Sequence, residues 1–177
     1  MGDWPLYLSP IAILLSAWLA SRNAVNAINA SREANQRSIE NAAAISRKKN
    51  AIDMIMRAHS DGRLHDVYKK IKEMHESCDH DISKFAYKNN NNDCKHITSN
   101  DIGYVLNLFE HVANGINQQI FDEETIKRSQ FGTITNLYKY CEKFIGIIRD
   151  QHVRPTIYIE LERLAKKWNE HPLTTKQ

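Results

Sequence analysis

Hydrophobic and polar positions divide this chain into one long stretch without breaks and a series of shorter amphipathic stripes. From Trp4 to Ser21 no residue is charged; Arg22 ends that run, and Asn, Ala and Ser then recur, with neither Gly nor Pro between Pro10 and Gly62. An interval free of both helix breakers predicts one continuous helix. Ser9-Pro10 reads as an N-cap followed by a first helical residue, so the helix is expected to begin at Pro10. Past the turn signal Ser60-Asp61-Gly62, the residues Leu64, Val67, Tyr68, Ile71 and Met74 recur at helical spacing. Ile102, Val105, Leu106, Phe109, Val112 and Ile116 make a further stripe behind a Ser99 or Asn100 cap. Asp122-Glu123-Glu124 opens another helix, where the dipole favours acids, and Leu137, Tyr138, Cys141, Phe144, Ile145 and Ile148 form an apolar stripe after it. A last helix is expected from Pro155, burying Ile157, Leu161, Leu164 and Trp168. "KNNNNDCKH" from Lys88 is a low-complexity loop. Strand-like alternation is nearly absent, so the fold class is all-α.

The uncharged run meets the length of a spanning helix, roughly 17–25 residues. Asp3 precedes it without any Lys or Arg, and Trp18 fits poorly in a small-residue cleavage site, so the segment reads as an anchor rather than a signal peptide. Arg22, Arg32 and Arg37 follow the run, which places the amino terminus outside and the bulk of the chain in the cytoplasm. Pro10 to Ala20 covers only about 16 Å at 1.5 Å per residue. The shortfall is met by the Trp4–Ser9 segment, by bilayer thinning, or by turns past Arg22 that an assembly hides from lipid. The expected organisation is a transmembrane segment at 1–21, a long juxtamembrane helix at 22–61 and a cytoplasmic helical bundle at 62–177.

Two rows of the long helix carry a functional expectation. Ala20, Ala24, Ala27, Ser31 and Ala34 form a small-residue row that lets another backbone approach. A neighbouring row reads Ile11, Leu15, Trp18, Arg22, Asn26, Asn29 and Glu33, apolar above and polar below. Packed in a ring of copies, the alanines would be the oligomer contact and the second row would line a pore, with Ile11, Leu15 and Trp18 as an apolar constriction. The alternative is a solvated stalk with ordinary Ala-rich helix propensity. The partners expected are therefore further copies of the chain and the lipid bilayer.

Composition narrows the chemistry. Lys and Arg number 24 against 21 Asp and Glu, a net +3 that is too balanced to argue for RNA or DNA by charge alone. Cys78, Cys94 and Cys141 are an odd set in a cytoplasmic region and read as thiols. His75, Cys78, His80, Cys94 and His96 cluster around the Asn loop, but the spacing matches no regular finger and the set exceeds four ligands, so no metal site is assigned. No Gly-rich phosphate loop, nucleophile elbow or HExxH occurs, and no cofactor is expected. One catalytic candidate remains. "RDQHVRP" places Arg149 and His152 on one helical face, the minimum equipment for cleaving RNA at its 2′-hydroxyl. A helix C-terminus attracts basic residues for dipole reasons as well.

With "YVLNLFEHVANGINQQIFDEE" and a closing "IELERLAKKW" behind a short span and an Ala/Asn-rich helix, the chain resembles a group of bacterial single-pass membrane proteins of unassigned function. It also resembles the single-pass accessory proteins of type VI-B CRISPR systems. That second resemblance implies a divergent HEPN domain, a homo-oligomeric pore in the bacterial inner membrane, and a role in antiviral defence that enhances an RNA-guided, RNA-targeting effector. A membrane-anchored HEPN-like RNase and a non-catalytic membrane scaffold are the alternatives. The HEPN pattern separates Arg from His by four to six residues, whereas only Asp150 and Gln151 stand between Arg149 and His152.

Overall fold

The structure, a computed structural model, describes residues 5–77, 81–87 and 97–173. Among them there is no strand: α1 (Pro5–Ser60), α2 (Gly62–Glu76), a short 3-10 helix (Ile82–Ala86), α3 (Ser99–Asn117), α4 (Glu123–His152) and α5 (Ile159–Glu170) follow in order. The all-α expectation holds. α1 is helical from Pro5 rather than Pro10, because Pro5 meets the same allowance for proline at a helix start.

No helix among the described residues is long and apolar enough to cross a membrane. The expected transmembrane segment at 1–21 includes residues 1–4, which lie outside the described residues. The uncharged run needs Trp4, which lies outside the described residues; a window of spanning length starting at Pro5 takes in Arg22 as well as Tyr7 and three serines.

The chain divides into two compact units, Met1–Ile45 and Ser46–Gln177. In the first, every described side chain from Ala12 to Ala43 is exposed. The second is a helical bundle that takes in the end of α1, where Ala51 and Ala58 are buried. Its core takes in the expected stripes, with Ile71 of α2, Ile102, Leu106 and Phe109 of α3, Leu137, Cys141 and Ile145 of α4, and Leu161 and Trp168 of α5, and adds Ile134 of α4. Truncating one of the large aliphatic side chains to alanine costs about 2–5 kcal/mol in such a setting. The 3-10 helix adds Ile82 and Ala86 against α4.

Helix ends are fixed by specific caps. Asp61 caps α2 by accepting the Leu64 N–H at 3.0 Å. Thr98, one residue ahead of the expected cap, closes a capping box with Asp101 on α3. At the α3–α4 corner Gln119 takes a left-handed φ of 57°, while the Ile120 and Phe121 N–H groups both donate to the Gly115 carbonyl. The Phe121 ring lies so close over Gly115 that an added Cβ would meet it at 2.4 Å. The end of α1 clamps this corner: the Arg47 carbonyl accepts the Asp122 N–H at 3.2 Å, and the Asn50 amide donates to the Ile120 carbonyl at 3.3 Å.

α5 begins at Ile159, not Pro155. Residues 155–158 form a turn that ends in Tyr158 at φ 55°, a conformation disfavoured for a residue with a Cβ. Tyr158 gives no side-chain cap. Glu110 of α3 supplies it instead, accepting the Glu160 N–H at 3.2 Å and the Leu161 N–H at 2.7 Å. A carboxylate at a helix N-terminus satisfies otherwise orphaned donors and complements the dipole.

Candidate functional site

Arg149 sits in the last turn of α4 and turns inward. Its Nε donates to the Ile157 carbonyl at 2.8 Å and its Nη1 to Glu162 at 2.7 Å. Lys166 donates to the other Glu162 oxygen at 2.5 Å. Lys166 first, and Arg149 against the opposing effect of burial, hold the Glu162 carboxyl below its usual range. Burial, then the Glu162 and Glu142 charges, push the neighbouring Tyr138 hydroxyl up to about 12. The Arg149 side chain is only 19% exposed, and its Nη2 is buried without a hydrogen-bond partner among the described residues. His152, at the end of α4, is exposed. The two candidates thus share a helix end but face different surroundings: one guanidinium ties α4 to the turn before α5, and one imidazole meets solvent. A phosphate-cleaving pair needs both groups open to one substrate.

Sequence reading missed a second cluster, where α2 meets α3. Arg63 reaches Asp101 at 2.8 Å and lies over the Tyr104 ring with 4.6 Å from guanidinium carbon to ring centre. The Tyr104 hydroxyl donates to Asp61. That bond lowers the Asp61 carboxyl and raises the Tyr104 hydroxyl from their usual ranges. Beside this cluster an open cleft of about 500 Å³ is lined by Arg63, Asn100, Tyr104, Asn107, Phe144 and Tyr158. Aromatic walls, two amides and a stacked cation suit a small polar ligand, and among the described residues the cleft is lined by the Ser99 hydroxyl but by no His or carboxylate to act as its base. Nothing local in the sequence marks the cleft, because its walls come from four elements.

His75 packs on the Tyr140 ring at 4.4 Å and borders a smaller cavity of about 340 Å³ with Asp81 and Lys143. Cys78, His80, Cys94 and His96 lie outside the described residues. Among the described residues no three His, Cys, Asp or Glu side chains are grouped to hold a metal ion. Cys141 is fully buried, and that burial pushes its thiol up to about 12.

On α1, Leu15, Trp18, Arg22, Asn26, Asn29 and Glu33 are all exposed, as are Ala20, Ala24, Ala27 and Ala34; the Ile11 side chain lies outside the described residues. Arg22 stacks on Trp18 at 5.4 Å and Glu33 pairs with Arg37 at 3.7 Å. Because α1 is one unbroken helix turning about 100° per residue, the two rows lie on opposite sides of it, roughly 160° apart, and not next to each other. Alanines placed there do not flank the polar row.

The two stretches that carry the family resemblance hold each other in the fold. Glu110, of the first, caps α5 in the second; Glu123, also of the first, accepts the Trp168 indole N–H at 3.0 Å and the Lys167 ammonium at 2.7 Å. Neither the curated proteins nor the solved structures contain a match to this chain. One family model, described as a domain of unknown function (DUF4760), matches residues 10–168 and so takes in the exposed part of α1 together with the whole bundle. The chain belongs to the DUF4760 family.

Proposed function

We propose that the protein is a homo-oligomeric membrane pore whose N-terminal helices insert together, with the bundle as its assembly and sensing module. One observation carries this reading: α1 is unbroken, yet every described side chain from Ala12 to Ala43 is exposed, Ile13, Leu14, Leu15, Trp18 and Leu19 among them. Helices draw most of their stability from packing, and a contiguous exposed apolar patch marks a surface that something covers. Since no described helix is long and apolar enough to cross a membrane alone, insertion is collective. Neighbouring copies hide each other's polar turns from lipid and keep Arg22, Asn26, Asn29 and Glu33 against water. Leu15 and Trp18 continue that row as the constriction. The basic residues after the apolar run favour a periplasmic amino terminus and a cytoplasmic bundle at the bacterial inner membrane. The role in antiviral defence, enhancing an RNA-guided effector, draws its support from the resemblance to the type VI-B accessory proteins.

The reading is non-catalytic. Arg149 spends two of its nitrogens on Ile157 and Glu162, which supports a fastening role over RNA hydrolysis.

Reconstituted into liposomes, the protein is expected to release a trapped dye, and Asn29→Trp to reduce the leak at unchanged oligomer size. A monodisperse monomer in mild detergent that leaks at no concentration overturns the pore. External labelling of Gly2→Cys in intact spheroplasts is expected to succeed, and labelling only after lysis reverses the orientation. Phage plating with and without a co-expressed type VI effector tests the defence role, which fails if the protein protects equally in both.

A further inference from the structure

The cleft beside Arg63 carries features that packing of the bundle does not ask for. Gly103 stands in the second turn of α3, where glycine weakens a helix relative to alanine. No neighbour requires it: an added Cβ would meet nothing nearer than the Tyr158 hydroxyl, at 3.9 Å, an ordinary contact. Its effect is to leave the cleft wall open down to the backbone. Tyr158 faces it from a left-handed φ of 55°, a strained backbone of the kind that functional sites retain. Asn100 and Asn107 border the same cleft on either side of Gly103 along α3, and their amides bond to no other described residue. The volume of about 500 Å³ lies within the range of small-molecule sites.

The walls select the ligand by charge and shape. Arg63 is the only charged side chain bordering the cleft among the described residues, and Asp101 at 2.8 Å and the nearby Asp61 already answer its charge. An anion would meet a cation that two carboxylates hold, and a cation would meet Arg63 itself. A hydrocarbon would take the two amides out of water without a partner. A neutral polar molecule satisfies all three conditions. Arg63 lies over one side of the Tyr104 ring at 4.6 Å, and a planar guanidinium so supported is a surface on which a further flat ring stacks. An asparagine amide sets a donor beside an acceptor, which matches the edge of a nucleobase. Asn100 and Asn107 stand about 10.5 Å apart along the helix at 1.5 Å per residue, too far to share one base edge but suited to a base at one end and its sugar at the other.

We propose that this cleft binds a neutral nucleoside. The base stacks on Arg63 and meets the Asn100 amide, while the ribose lies against Gly103 with its hydroxyls towards Asn107 and Tyr158. The site does not depend on the pore reading and is tested apart from it.

Equilibrium dialysis of the full chain in mild detergent against radiolabelled adenosine reads this directly. Saturable binding is expected, with adenosine monophosphate and ribose each about tenfold weaker or more. Gly103→Leu fills the open wall, and Arg63→Lys keeps the charge but removes the flat surface. Each is expected to weaken adenosine binding by about tenfold or more. Thermal midpoints by circular dichroism report whether each variant is folded; if Gly103→Leu is not, Asn107→Ala, an exposed substitution, is expected to show the weakened binding in its place. No binding of adenosine at millimolar concentration overturns the proposal. So does ribose binding as tightly as adenosine, single-stranded RNA binding where the nucleoside does not, or an affinity that the folded variants leave unchanged.

Discussion

Arg149 and Glu162 meet at 2.7 Å with both side chains largely covered, at 19% and 15% exposure. The contact joins the end of α4 to the first turn of α5 across the left-handed pair in that connection, Val153 and Tyr158. Its partner carbonyl, on Ile157, belongs to the same turn. A planar fork that engages a carboxylate and a carbonyl at once is the geometry in which Arg and Lys differ most.

Arg149→Ala is expected to destabilise the bundle by about 3 kcal/mol, the low end for breaking a covered ion pair, because Lys166 still accompanies Glu162. Arg149→Lys should recover little of it, and His152→Ala should stay within about 0.5 kcal/mol of the parent as an exposed substitution. Urea unfolding followed by circular dichroism measures all three. Purified protein that cuts single-stranded RNA, and stops cutting in His152→Ala at unchanged oligomer size, would falsify the fastening role.

Glu110 offers a cleaner test of long-range capping. Glu110→Ala removes the acceptor for two N–H groups of α5 and should cost about 2 kcal/mol. Hydrogen exchange should rise first in the Glu160–Leu161 turn. Equal loss of protection throughout the bundle would mean that Glu110 does something other than cap.

Two glycines predict opposite signs. At Gly115 a Cβ collides with the Phe121 ring, so Gly115→Ala should lose about 1–3 kcal/mol. At Gly132, inside α4, nothing lies within 4 Å, and Gly132→Ala should gain up to about 1 kcal/mol from helix propensity. Thermal midpoints that move the same way in both would contradict the corner geometry.

Stability should fall on both sides of neutrality, for opposite reasons. Glu162 and Glu123 are held below their ordinary 4.5, Glu162 chiefly by Lys166; for Glu123, burial alone would raise it, but Lys167 and the Trp168 indole outweigh that. A carboxyl lowered on folding contributes stability that is present above its unfolded value and lost as pH falls through the folded one, so the loss begins below pH 4.5. Burial pushes Cys141 from 9.0 and Tyr138 from 10.0 up to about 12. Their contribution is full below pH 9.0 and drains away as pH rises towards 12. Denaturation midpoints between about pH 3 and pH 11 trace both limbs, and Glu162→Gln should flatten the acid one.

What the sequence made legible was whatever depends on neighbours three or four residues away. The stripes from Leu64, Ile102 and Leu137 are the core of α2, α3 and α4 because burial of one helical face is written into local spacing. The start of α5 was misplaced at Pro155 because its cap is a carboxylate on another helix, fifty residues earlier in the chain. Thr98 was passed over for Ser99 because the capping box needs Asp101 to face back, and that is a matter of backbone geometry. The Arg63 cleft was invisible for the same reason as the α5 cap: its walls meet only after folding. On α1 both rows are legible in the sequence, and helix geometry alone sets them on opposite sides of the helix.

Because α5 borrows its cap from Glu110 and its anchor from Glu123, it has no complete end of its own to nucleate on. Without α5, the sides of α3 and α4 on which it packs are left uncovered, an apolar groove of the kind that chaperones bind.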